Sequence, residues 1–137
     1  MASPNPATPI DLVSYQPGVC NIGPAEIARR RMSGHLGVAA SVGVLAALLI
    51  LGAPAWMRLI LIVPAGGAAS GYLQAWLHFC AGFGSRGVFN FGPLGIVQAV
   101  TNGDDLRRDR IRSLQIGLAS LAVGVAVAVG AALLPVP

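Results

Sequence analysis

No lysine occurs in this chain, and charge of either sign is scarce. Nine arginines and five acids make up all the formal charge, 10% of 137 residues. A soluble domain of this length carries about 25% charged residues. Water does not solvate a chain that is 55% hydrophobic with a mean hydropathy of +0.71, so lipid is the expected solvent. The missing lysine excludes a Walker phosphate loop. Only two cysteines and two histidines are present, too few for a disulfide framework, and no C-x-x-C, H-x-x-x-H or G-x-S-x-G spacing occurs. All five acids flank the long apolar runs, which removes the usual sign of a proton relay or cation pathway. The net charge of +4 would suggest nucleic acid for a soluble protein. Arginines that bracket apolar runs instead mark membrane topology, so no nucleic-acid partner is expected.

Three uncharged runs remain. Each exceeds the roughly 18 residues that mark a membrane span. The first follows Arg29-Arg30-Arg31 and extends from Met32 to Met57. The second, Leu59 to Ser85, includes the small-residue surface of the chain. The third runs from Ser113 to Leu134. Arg29–Arg31 before an apolar run ending in Ala53-Pro54-Ala55 also has the look of a secretory signal. A second span follows at once, however, so cleavage there would still leave a membrane protein.

The fold class expected is therefore all-α and integral to a membrane: three transmembrane helices, with a Gly-rich cytoplasmic or interfacial loop between the second and third. Residues 1–23, with four prolines, read as an irregular arm, because repeated Pro blocks a helix. Residues 24–137 read as a single three-helix domain, with helices at about 24–52, 57–82 and 104–134. The spans lie at about 32–54, 59–81 and 113–134, and the interfacial loop covers 82–112. Pro24 with Glu26 suits a helix start. Pro64 is expected to kink the second helix. Asp105 with Arg108, and Asp109 with Arg112, are expected as ion pairs on a wet surface.

Eight of the nine arginines fall on one side of this arrangement and Arg58 alone on the other. By the positive-inside rule, the N-terminus and the long loop are cytoplasmic and the C-terminus lies outside. Arg86, Arg107, Arg108, Arg110 and Arg112 are then placed to meet lipid headgroups.

Within the second span, Gly67 and Gly71 form a GxxxG pair, and Gly66 with Ser70 a second small-xxx-small pair. Such residues let helix backbones approach closely in lipid. The partner is another span of the chain or another subunit. Gly82-Phe83-Gly84-Ser85-Arg86-Gly87 matches the dinucleotide-binding spacing, but it follows a membrane helix rather than a buried strand, and no βαβ unit surrounds it. The glycines read as a turn at the membrane surface.

One constellation of soft ligands is left. The expected topology brings Cys20, His35, His78 and Cys80 to the same face, and imidazole and thiolate suit a transition metal or a haem. The alternative is that the histidines are interfacial polar residues and the cysteines small packing residues. The segments CNIGPAEIARRR and LHFCAGFGSRGVFNFGPLG, with the Asp/Arg-rich start of the third span, resemble a family of small uncharacterised bacterial inner-membrane proteins over residues 20–134. That resemblance implies a bacterial plasma-membrane protein and no particular activity. The functional expectation is a non-catalytic accessory or assembly subunit without a cofactor, whose partners are membrane lipids and other membrane subunits or itself. The alternatives are a cytoplasmic-face metal, haem or redox site, and a small oligomeric channel or lipid-interacting protein.

Overall fold

A computed structural model describes residues 15–136. Residues 1–14 of the Pro-rich arm lie outside the described residues. The described residues are mostly helical, with one very short sheet. In order the chain forms α1 (Pro24–Ile50), a 3-10 helix (Ala55–Leu61), α2 (Ile62–Leu77), α3 (Ala81–Arg86), β1 (Val88–Phe89), β2 (Gln98–Ala99) and α4 (Gly103–Leu133). Three stretches are long and apolar enough to cross a membrane: Pro24–Ile50, Ala55–Leu77 and Gly103–Leu133. At 1.5 Å per residue, the uncharged part of α1 from Met32 is about 28 Å long and that of α4 from Ser113 about 31 Å, close to a hydrocarbon core of about 30 Å.

Helix α1 starts at Pro24 as the sequence predicts, and α4 starts one residue after Asn102. The Asn102 side chain accepts the backbone N–H of Asp104 at 2.8 Å and of Asp105 at 3.3 Å, satisfying donors that a helix start leaves open. The second span departs from the single kinked helix expected. Pro64 falls in the first turn of α2, directly after the 3-10 segment. It has no N–H to give the carbonyl four residues back, whereas the Ile62 N–H just before it still bonds to the 3-10 segment. The helix type changes at Leu61–Ile62, before Pro64 completes the first turn. The all-α expectation is also corrected by β1 and β2. They pair antiparallel, Val88 with Ala99 and Phe89 with Gln98.

The described chain divides into two compact units, with boundaries inside helices. One unit holds the described residues up to Arg29 together with Gln74–Leu114. The other holds Arg30–Leu73 and the chain from Gln115.

In the first unit the segment before α1 is an integral part of the packing. Residue 22 bridges to residue 90 in parallel, and Ile22 packs with Cys80 and Phe83 in an apolar cluster. In the second unit, small residues set how closely the helices approach. A Cβ on Gly37 would stand 2.7 Å from the Ala68 Cα, and one on Gly71 2.5 Å from the Gly34 nitrogen. A Cβ on Gly124 would stand 2.7 Å from the Ile62 carbonyl oxygen. No real side chain fits at such distances, so α2 touches both α1 and α4 backbone to backbone. Leu61, Ala128 and Ala131 form the buried cluster beside these contacts. Hydroxyls on the helices are satisfied locally. Ser41 donates to the Gly37 carbonyl at 2.8 Å and Ser120 to that of Ile116 at 2.7 Å, as an apolar surrounding requires.

Candidate functional site

Helix α2 ends at Leu77, and the next residue carries its termination. His78 has φ 55°, the only non-glycine residue with positive φ among those described. The Phe79 N–H reaches back to the Gln74 carbonyl at 3.1 Å. This is a Schellman ending with His78 in the position that glycine usually fills. The end of α3 is made the usual way: Gly87 has φ 71°, and its N–H bonds to the Phe83 carbonyl. The glycine-rich motif is therefore a short helix with a left-handed cap, not a phosphate cradle.

Two buried asparagines hold this region. Asn21 has no exposed surface. Its side-chain oxygen accepts the Cys80 N–H at 2.6 Å and its amide donates to the Cys80 carbonyl at 3.1 Å. Its backbone N–H donates to the His78 carbonyl at 3.1 Å, and its carbonyl accepts the Asn90 N–H at 3.0 Å. Asn90 mirrors it. It accepts the Gly92 N–H at 2.9 Å, donates to the Pro93 carbonyl at 2.9 Å and reaches Glu26 at 3.5 Å. An apolar surrounding makes each of these bonds costly to leave unmade. Sequence reading missed both residues, although Asn90-Phe91-Gly92 carries an Asx-turn signature.

A third anchor is Asp109, on the first third of α4. It is fully buried, not part of a wet ion-pair surface. Its carboxylate accepts the Tyr15 hydroxyl at 2.7 Å and the Gly18 N–H at 2.7 Å. Arg112 donates from Nε to the Gly18 carbonyl at 2.9 Å. Tyr15 also stacks on Phe89, with ring centroids 4.7 Å apart. Burial, then the hydrogen bond and charge of Asp109, push the Tyr15 phenol well above its ordinary range.

The soft ligands fall in both units. Cys80 is buried beside Ile22 and Phe83, while His78 is exposed. The Cys20 sulfur lies 3.8 Å from the Ile22 carbonyl, and burial pushes its thiol pKa up. That favours the thiol over the thiolate that binds metals. Both cysteines are free. His35 belongs to the other unit, where its Nδ1 is 2.7 Å from the Tyr72 hydroxyl. Among the described residues, no group of three or more His, Cys, Asp or Glu is placed to hold a metal ion.

The arginines have separate fates as well. Arg107, Arg108 and Arg110 are exposed, and Arg86 lies over the Phe83 ring at 5.4 Å. Arg58 is 2% exposed. Its guanidinium donates from Nη1 to the carbonyls of Ala131 at 3.1 Å and Leu134 at 3.2 Å, and from Nη2 to that of Val136 at 3.1 Å. It therefore caps the C-terminal end of α4, where helix carbonyls lack partners and the dipole favours a cation. Of the expected packing residues, Gly71 faces α1. Gly66 has the Ser120 carbonyl oxygen and the Gly124 Cα within 4 Å of where a Cβ would stand. Ser70 is half-buried, and Gly67 faces open space.

No family model, curated protein or solved structure matches this chain. Its function is therefore argued from its own residues.

Proposed function

We propose that this protein is a small, non-catalytic, multi-pass membrane protein that serves as an accessory or assembly subunit, either of a larger membrane complex or of a ring of its own copies. The observation that carries this reading is the outer face of the second span. Ile60 and Val63 are exposed by 59% and 75%. Gly67, one turn beyond Val63, has nothing within 4 Å of where a Cβ would stand. An apolar ridge with a glycine notch is the surface into which a neighbouring helix packs in lipid. Among the described residues, none fills the notch.

The exposed arginines belong on the cytoplasmic side of a bacterial plasma membrane in this reading. Because Arg58 is engaged as a helix cap, it does not weigh against that orientation as a solvated charge would. The test is Gly67→Leu. It is expected to leave the thermal unfolding of the protein unchanged while abolishing co-purified subunits or self-association in native mass spectrometry. Unchanged assembly would refute the reading. For orientation, a phosphatase fusion in the loop at Ile96 is expected to be inactive, and activity there would invert the proposed topology.

A further inference from the structure

On the side of α2 away from Gly67, a recess of about 300 Å³ is lined by residues of the second unit. Its floor is Ala65, Ala68 and Ala69. Its walls are Val38 and Val42 of α1 and Val123 and Val127 of α4. We propose that this cleft binds one acyl chain of an anionic phospholipid, with the headgroup at Arg31.

The cleft is apolar, and polar residues follow it on α1 toward the N-terminal end of that helix. Arg31, His35, Val38 and Val42 are spaced by four, three and four residues, which places them in one stripe on a helix. The stripe starts at a guanidinium, passes an imidazole and becomes aliphatic. Tyr72 lines the cleft at the level of His35, and its hydroxyl is 2.7 Å from His35 Nδ1. With the Tyr72 hydroxyl donating to Nδ1, the imidazole carries its proton on Nε2 and can donate it to an ester or phosphate oxygen. A phospholipid has the same sequence of groups: anion, polar ester, hydrocarbon. The charge match sits where the headgroup would be, one helical turn before the polar pair.

The volume of 300 Å³ equals less than one turn of a helix about 10 Å across, so a neighbouring helix would place only single side chains in the cleft. A single extended hydrocarbon chain is narrow enough to lie between the valine walls. The volume stands at the lower end of the range of small-ligand pockets. The alanine floor gives the depth, since larger side chains at 65, 68 and 69 would fill the cleft.

The full-length protein, in nanodiscs, is to be irradiated with diazirine-tailed phosphatidylglycerol or, separately, diazirine-tailed phosphatidylcholine, and the adducts mapped by peptide mass spectrometry. Phosphatidylglycerol adducts are expected on the α1 and α4 walls, at Val38, Val42 and Val123, in excess over those on the outward residues Leu36 and Leu118. They are expected to exceed phosphatidylcholine adducts about fivefold, the worth of one arginine at a membrane surface. Arg31→Gln should bring that ratio to about one. Ala69→Phe should remove the wall adducts and leave those at Leu36 and Leu118. Equal labelling of walls and outward faces in the unmodified protein would overturn the proposal, as would equal labelling by the two lipids. Both of those readouts use the unmodified chain, so a misfolded variant cannot mask the outcome. Failure of the Gly67 test would leave this result standing, because the two faces of α2 are distinct.

Discussion

Arg58 offers the most direct test of what holds the second unit together. Its three donated bonds go to Ala131, Leu134 and Val136, that is, to the last turn of α4 and the chain beyond it. Hydrogen bonds that involve a charged group contribute about 1.5–3 kcal/mol each, but three on one guanidinium do not add independently. Arg58→Met also removes the buried charge, and with it the desolvation that the charge costs. What remains is the loss of the three bonds and the penalty of the buried Ala131 carbonyl left without a donor, about 1–3 kcal/mol, the Leu134 and Val136 bonds being only part-buried. A net loss of about 3 kcal/mol is therefore expected for Arg58→Met. Arg58→Lys keeps the charge but not the planar fork, so it should restore about half of that loss. Denaturation in mixed micelles, followed by far-ultraviolet circular dichroism, measures the difference. Hydrogen exchange should show the loss of protection concentrated at 131–134. An Arg58→Met protein that unfolds within about 0.5 kcal/mol of wild type, the size of an ordinary surface substitution, would refute the reasoning and return Arg58 to the role of a topology marker.

Further outcomes follow from the same geometry. Gly71→Leu should destabilise the protein strongly, because its side chain would meet the Gly34 backbone; normal unfolding of that variant would mean that α1 and α2 are farther apart than described. His78→Gly should stabilise by about 1 kcal/mol, since a non-glycine residue in the left-handed region is strained by about 1–2 kcal/mol; a loss of stability would show that the imidazole makes a contact worth more than that strain. The Tyr15 phenol is raised in the folded state. Its contribution to stability is therefore complete below the unfolded value near 10 and is lost as pH climbs above it. Wild type should lose stability above about pH 10 more steeply than Tyr15→Phe, and parallel curves would disprove the buried phenol–carboxylate bond.

The starts of α1 and α4 are legible in the sequence because local chemistry sets them. Pro24, Glu26 and the Asn102-Gly103-Asp104-Asp105 start act within one helical turn. The three apolar runs are legible for the same reason, as runs. The second span reads as one bent helix only when Pro64 is weighed without the 3-10 segment before it, which places the proline in a first turn. What the sequence hides lies in pairings between distant residues. Asn21 with Cys80, residue 22 with 90, and Gly18 with Asp109 have no signature in either partner alone. Asp109 has the pattern of one more surface acid beside Arg112, and only the folded chain brings Tyr15 onto it. The strands β1 and β2 are two residues each, too short to carry an alternating pattern. For the glycines, spacing shows that helices pack closely. It does not show that Gly71 and Gly66 face partners within the chain while Gly67 faces outward.

The clasp of residues 15–22 on the far part of the chain also bears on the order of synthesis. Tyr15 and Gly18 leave the ribosome early, but their carboxylate partner is 94 and 91 residues behind them. At about 5–20 residues per second, the segment waits roughly 5–20 s for Asp109 to be made. During that interval the bonds of Asn21 and Asn90 can already form, because their partners end at Pro93, while Tyr15 and Gly18 still lack Asp109. The first unit is therefore closed late, by the arrival of α4. A chain stalled or truncated before Asp109 would keep its N-terminal segment open to proteases, so a cell has a chemical means of telling an unfinished copy from a complete one.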